Sequence, residues 1–199
     1  MDIAIFSKAP QAGQSKTRLI PALGPGGAAR LQRRMTLGIL QLAVQFSPGN
    51  TTLWCAPDYH HRFFRALSKR CRISFRSQYG KDIGERMHHA FATHSTPLLL
   101  VGSDCPALTL NHFEAAASAL REGADAVFIP AEDGGYVLVG LRQPQLRLFE
   151  DIDWGSGQVM HQTRERLVEL GLRWAELETL WDVDRPEDLA RLEASEKWM

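Results

Sequence analysis

Three places in this 199-residue chain gather charged side chains where chemistry could be done. The first is the run Lys8-Ala-Pro10-Gln-Ala-Gly13-Gln-Ser15-Lys16-Thr17-Arg18, a polar loop broken up by Pro10 and Gly13 and carrying three cations. Ammonium and guanidinium groups bind phosphate oxygens, Lys as a point charge and Arg as a fork. It is not a Walker loop, because Ser15 stands where a glycine must precede the lysine. The second is Asp104, inside the stretch Thr96–Thr109 and directly after the apolar run Leu98–Val101. The third is Asp182-Val183-Asp184. Carboxylates are hard oxygen donors for Mg2+ or Mn2+ and reach phosphates through the metal. Each group also has a plain structural reading. The loop can be a solvated surface, Asp104 a turn residue or helix cap, and Asp184, three before Glu187, the N-cap of a capping box. Lys16 belongs to a polar loop, so its removal is expected to leave no core cavity.

The elements that would position these groups follow from periodicity. Asp2–Ser7 and Leu98–Val101 are apolar without alternation, as strands buried on both faces are. Thr51–Ala56 and Ala124–Ala131 read as further strands, and Arg72–Gln78 alternates like a more exposed one. After a turn at residues 24–27, the apolar positions Leu31, Met35, Ile39, Leu42 and Phe46 fall on one face of a helix over Ala28–Phe46. Further helices are expected over Asp58–Lys69, capped by Asp58, from the Gln78–Met87 turn to about Thr93, over Thr109–Glu122 and over Gln158–Leu170. Asp133-Gly134-Gly135 before the apolar run Tyr136–Leu141 signals a hairpin, with Asp133 either a turn residue or a group facing the same cleft as Asp104. Phe149–Gly157, with Trp154, reads as an ordered loop near substrate, and a last strand lies within Leu172–Trp181. Alternating strands and helices predict one α/β domain over residues 1–199, with three layers and a mixed, mainly parallel sheet. Ligands of such sheets bind outside the carboxyl ends of the strands, where the three charged groups fall.

Composition narrows the partners. Lys+Arg and Asp+Glu number 23 each, so no basic excess points to nucleic acid. No segment approaches the ~20 apolar residues of a membrane span, and the N-terminus has no basic leader. Cys55, Cys71 and Cys105 lack metal-ligand spacing and fit a reducing compartment, so a cytoplasmic protein is expected. The adjacent pairs His60-His61 and His88-His89 do not share a helix face, which argues against zinc. Cys105 has no evident histidine partner, and the neighbouring Asp104 disfavours its thiolate.

Five motifs in order carry a family resemblance: Lys8-x-Pro10-x-x-Gly13-x-x-Lys16-Thr17-Arg18-Leu19, Gln78-x-Gly80-x-x-x-Gly84-Glu85-Arg86-Met87, Gly102-Ser103-Asp104-Cys105-Pro106, Asp133-Gly134-Gly135-Tyr136 and Asp182-Val183-Asp184-x-Pro186-Glu187-Asp188-Leu189. Together they resemble the nucleotide-diphospho-sugar transferase superfamily, with its Rossmann-like glycosyltransferase-A fold. Within it the chain looks like the small bacterial glycosyltransferases found beside radical-SAM and selenium-linked genes. Less closely, it is similar to the guanylyltransferases of molybdenum-cofactor and coenzyme F420 synthesis. The resemblance implies a donor that is a nucleoside triphosphate or nucleotide sugar, a small-molecule acceptor, and Mg2+ or Mn2+. It implies that Lys8, Gly13, Lys16, Arg18, Gln78 and Gly84 bind the nucleotide, with Lys16 and Asp104 central to catalysis. Asp104 and Asp184 would hold the metal, and Asp133, Gly134, Gly135, Tyr136, Trp154 and Asp182 would face substrate or acceptor. Arg185 replaces the usual threonine of the last motif, and Asp104 lacks a second aspartate two residues away. Glycosyl transfer, nucleotidyl transfer with release of pyrophosphate, and nucleotide binding without catalysis all remain open at this point.

Overall fold

A computed structural model describes residues 1–94 and 97–195, so Thr96 lies outside the described residues. Seven strands form one sheet: β1 (Asp2–Lys8), β2 (Thr51–Ala56), β3 (Ser74–Ser77), β4 (Leu98–Gly102), β5 (Ala126–Pro130), β6 (Tyr136–Leu141) and β7 (Trp174–Glu176). Their order is β3-β2-β1-β4-β6-β5-β7. β1 pairs in parallel with β2 and β4, β2 with β3, and β5 with β7. β6 runs antiparallel to both β4 and β5, because the tight Asp133–Gly135 turn returns the chain at once rather than through a helical crossover. The expected mixed, mainly parallel sheet is what forms.

Helices α1 (Ile20–Phe46), α2 (Arg62–Ser68), α3 (Ile83–Ala92), α4 (Leu110–Arg121), α5 (Val159–Glu169) and α6 (Pro186–Glu193) complete the fold. Side chains alternate across each strand, so both sheet faces need cover. Ile3, Ile5, Leu99, Val101, Val127 and Ile129 pack with Ile39 and Ala43 of α1, Phe64 of α2 and Phe113 and Leu120 of α4. On the other face, Ala4, Phe6, Leu98, Leu100, Phe128 and Val139 pack with Met87 and Phe91 of α3 and Met160 and Leu167 of α5. Each large apolar side chain so buried contributes about 1.5–3 kcal/mol. A smaller cluster of Leu19, Leu31, Met35, Val183 and Leu192 clamps the first half of α1 to α6. That clamp sets the C-terminal Asp184 beside the loop after β1.

Several boundaries move from the expected places. The turn at residues 24–27 shrinks to a single break at Gly24 (φ 68°, ψ 166°), with helix on both sides. Pro25 restarts the helix because its fixed φ suits a first helical turn. The helix expected from Asp58 begins at Arg62, and His61 Nδ1 caps it by accepting from Phe63 N at 3.3 Å. Asp58 instead accepts from His60 N at 2.7 Å, a local turn that competes with the cap. α6 also starts one residue later than the capping-box spacing suggested. Arg185 is the N-cap, and Asp188 accepts from the backbone N of Asp184 (2.9 Å) and Arg185 (2.7 Å). Pro186 takes the first helical position, which pushes the cap to residue 185 and frees the Asp184 carboxylate.

Candidate functional site

The chain leaves β1 towards β2 and β3 on one side and returns to β4 on the other, so a crevice opens where β1 and β4 end. A cavity of about 440 Å3 occupies it, lined by Lys8 at the end of β1, by Gln14, Lys16 and Arg18 after it, by Gln78 and Arg86 around the start of α3, and by Asp104 and Asp184. Its volume lies in the range of small-molecule sites.

Lys16 is not the open loop cation expected. Its backbone is left-handed (φ 46°, ψ 50°), a region that non-glycine residues seldom enter and that clusters at functional sites. Its side chain is only 4% exposed, and Nζ donates to Val183 O at 2.6 Å while lying 3.1 Å from Asp104 Oδ1. Removing it would strip a carbonyl and a carboxylate of their partner.

Asp104 sits just past β4 with its side chain 48% exposed. It caps no helix, since α4 starts from Thr109. Ser103 Oγ donates to Asp104 Oδ1 at 3.3 Å and accepts from Gln32 Nε2 at 3.1 Å. Gln32 in turn reaches Thr36 Oγ1 (3.3 Å), which lies 2.7 Å from Ser7 Oγ. An amide N–H can only donate, so Gln32 leaves the single Ser103 proton for Asp104. This buried network was missed by sequence reasoning. Its available signal was Gln32 and Thr36, one helical turn apart beside the apolar Leu31, Met35 and Ile39. Arg86 was also missed as a site residue. It lines the cavity, anchored by Nε donating to Gly80 O at 3.0 Å.

Asp184 forms an ion pair with Arg18, and both line the cavity. Beyond Asp104 the surface turns acidic. A recess of about 170 Å3 is bounded by Asp104, Cys105, Asp133, Tyr136 and Asp182. A neighbouring one of about 290 Å3 adds Glu132, Asp184, Asp188, Trp181, Arg185 and the 155–157 loop. Burial, then the charges of Asp133 and Asp104, push the Asp182 carboxyl up to about 6. Burial raises the Cys105 thiol to about 12, which removes it as a nucleophile at neutral pH. Burial likewise raises the Tyr136 phenol.

The remaining expected site residues divide. Gln78 lines the cavity, its Nε2 held by Trp54 O at 3.0 Å. Asp133 makes the turn that one reading gave it, accepting from Gly135 N at 2.9 Å, and still faces Asp182 across the recess. Gly134 (φ 89°) lies so close to the Gly157 carbonyl that no side chain fits between the hairpin and the 155–157 loop. Trp154 is half-buried, its ring against Gly84 and edge-on to Tyr136 at 6.4 Å. Gly84 thus makes room for an indole: a Cβ there would lie 2.7 Å from Trp154 and 2.8 Å from Phe149 O. Trp154, Gly84 and the exposed Gly13 line neither the cavity nor the recesses.

Among the described residues, no three His, Cys, Asp or Glu side chains form a metal-binding group. The oxygen donors present nonetheless fit Mg2+ or Mn2+ of the kind bound by one or two carboxylates together with substrate phosphates. Asp104 has Oδ1 tied to Ser103 and Lys16, and its half-exposed side chain lines the cavity.

An open crevice at the β1/β4 switch point with this mixed sheet defines a Rossmann-like α/β fold of the nucleotidyltransferase and glycosyltransferase type. The chain belongs to the DUF2064 family, described as uncharacterized proteins conserved in bacteria, whose model matches residues 39–156. The match includes Asp104 and the Asp133 hairpin but neither Lys16 nor Asp184. A crystal structure from Desulfovibrio desulfuricans, provisionally named a nucleotide-diphospho-sugar transferase, is 29% identical (TM-score 0.85, 100% of this chain and 90% of that one). A CMP:2-keto-3-deoxy-manno-octonic acid synthetase complexed with CTP shares the fold at 12% identity (TM-score 0.63, 97% and 96%). So does the molybdopterin-guanine dinucleotide biosynthesis protein A of Archaeoglobus fulgidus at 17% (TM-score 0.55, 96% and 96%). A comparison with curated proteins returned no match. Among the described residues, no helix is long and apolar enough to cross a membrane.

Proposed function

We propose that this protein is a transferase using a nucleotide-activated donor, and that it transfers a glycosyl group from a nucleoside-diphosphate sugar to a small-molecule acceptor. The observation that carries the reading is the meeting of two unlike surfaces at Asp104: a cavity with Lys8, Lys16, Arg18 and Arg86, and a recess with Asp133 and Asp182. Cations suit a diphosphate. Carboxylates accept hydrogen bonds from sugar hydroxyls and repel a phosphorylated acceptor. Lys16 and Arg18 would hold the diphosphate, Gln78 and Arg86 would border the nucleoside, and Asp104 with Asp184 would hold Mg2+ or Mn2+. Bound there, the metal would supply charge neutralisation for the departing diphosphate. Asp133 and Asp182 would orient the sugar. The naming of the 29%-identical Desulfovibrio structure as a sugar transferase supports this choice. The free thiols of Cys55, Cys71 and Cys105 suit a cytoplasmic setting.

Nucleotidyl transfer is the second reading, favoured by the number of cations around the cavity, which would also suit a triphosphate and its pyrophosphate product. Product analysis separates the two. Incubation with Mg2+, candidate acceptors and either nucleotide sugars or nucleoside triphosphates should release free nucleoside diphosphate. Pyrophosphate release would replace the first reading by the second. Nucleotide binding without turnover of either donor class would support a non-catalytic binder.

A further inference from the structure

The two cations expected to hold phosphate are each paired with a carboxylate expected to hold metal, and the two pairs differ in kind. In Lys16–Asp104 the cation is sunk into the protein, 4% exposed and also tied to Val183 O, while its carboxylate is half-exposed, and one of the three lysine N–H donors remains for a phosphate. Arg18–Asp184 is open to solvent, with side chains 62% and 40% exposed. Exposed pairs of this sort are held weakly. Asp184 is the fixed partner: its backbone N is bonded to Asp188, and Val183 N before it donates to Asp104 O at 2.9 Å. Arg18 is the partner free to turn.

We infer that Arg18 is an exchangeable latch between phosphate and metal: it neutralises Asp184 in the empty site, then swings onto the phosphate oxygens of the incoming nucleotide and releases Asp184 to the divalent cation. This rests on the reading of the cavity as a nucleotide site. The charges explain why both ligands must arrive together. Phosphate taken alone would leave Asp184 bare beside a polyanion. Metal taken alone would leave Arg18 beside a dication. Only the pair of ligands leaves every charge with a partner, so phosphate and metal each raise the other's affinity.

The test titrates inorganic pyrophosphate, with Mg2+ or with EDTA, into the wild type, Arg18→Gln, Asp184→Asn and the double variant by calorimetry. Glu132→Gln, in the recess that Arg18 and Asp184 also line, serves as a through-space control, and each variant's thermal unfolding is checked. Wild type should bind at least 10-fold more tightly with Mg2+. Asp184→Asn should bind pyrophosphate several-fold more tightly than wild type in EDTA, because Arg18 is already free, and should lose the Mg2+ enhancement. Arg18→Gln in the same chain should abolish that gain, whereas Glu132→Gln should keep the Mg2+ enhancement. A gain in Asp184→Asn that survives Arg18→Gln, or an enhancement that survives Asp184→Asn, would overturn the latch. Wild-type binding that is equal with Mg2+ and with EDTA would overturn the latch and leave the phosphate site standing. No pyrophosphate binding by folded wild type in either condition would overturn both.

Discussion

Asp104 and Lys16 hold each other in place, so a change at either is felt at both. Lys16→Ala strands the Val183 carbonyl and bares Asp104, and should cost about 1–3 kcal/mol of stability as well as nucleotide affinity. Urea unfolding beside a nucleotide titration reads both, and an unchanged midpoint would mean that Lys16 does not occupy its buried place. Asp104→Asn keeps an acceptor for Ser103 and Lys16 but loses the charge that a hard cation prefers. Folding should survive while the Mg2+-dependent part of nucleotide binding disappears; wild-type Mg2+ dependence in that variant would move the metal elsewhere. Asp182 makes a pH prediction for the metal-free protein. Its folded value is raised from 3.8 to about 6, so the folded state holds the proton more tightly than the unfolded chain does. The contribution of this carboxyl to stability is therefore greatest below pH 4, declines as pH rises through about 6, and is flat above that. Asp182→Asn should remove this decline and raise stability at pH 7 by about 1 kcal/mol after solvent screening, as melting between pH 4 and pH 8 in EDTA would show.

At the level of elements, the site depends on two close approaches. α3 can lie against the Phe149–Gly157 loop only because Gly84 has no side chain. Gly84→Ala should lower stability by about 1–3 kcal/mol, since the indole and the Phe149 carbonyl must both give way. A loss of near-ultraviolet dichroism from Trp154 should accompany it, and an unshifted melt would show that the loop has room. The start of α6 is the other approach. Asp188 holds the backbone N–H groups of Asp184 and Arg185, and with them the position of the Asp184 carboxylate. Asp188→Ala should cost roughly 1 kcal/mol, like the loss of a helix cap, and should weaken Mg2+-dependent nucleotide binding although Asp188 faces only the outer recess.

For the whole molecule, both sheet faces are covered and the strand ends form an edge where charged loops from four parts of the chain meet. Ligand binding there should stabilise the entire fold, because it bridges the loop after β1, the end of β4 and the segment before α6. A nucleotide at 100-fold its dissociation constant should add about 2.7 kcal/mol with Mg2+ present and little with EDTA. Thermal shifts across nucleoside triphosphates and nucleotide sugars would read this and identify the base. Equal shifts in Mg2+ and EDTA would remove the metal from the proposal.

Most strands and helices, and the edge of the sheet that carries the site, were legible along the chain. Apolar periodicity and turn residues are local, and a parallel sheet must place the residues after its strands at one edge. The position of Asp104 just past β4 was legible for that reason. The caps were less so, because two nearby polar residues compete for each helix start, as Asp58 with His61 and Asp184 with Arg185. What no local pattern carried was the pairing within the site. Lys16 meets Val183 across 167 residues, and Arg18 meets Asp184 across 166. Those contacts exist because Leu19, Leu31 and Met35 pack against Val183 and Leu192. The same packing of α1 against the sheet buries Gln32 beneath Asp104. Whether a charged residue in a loop is solvated or buried against a partner depends on which distant element closes over it, and that is decided only when the layers pack.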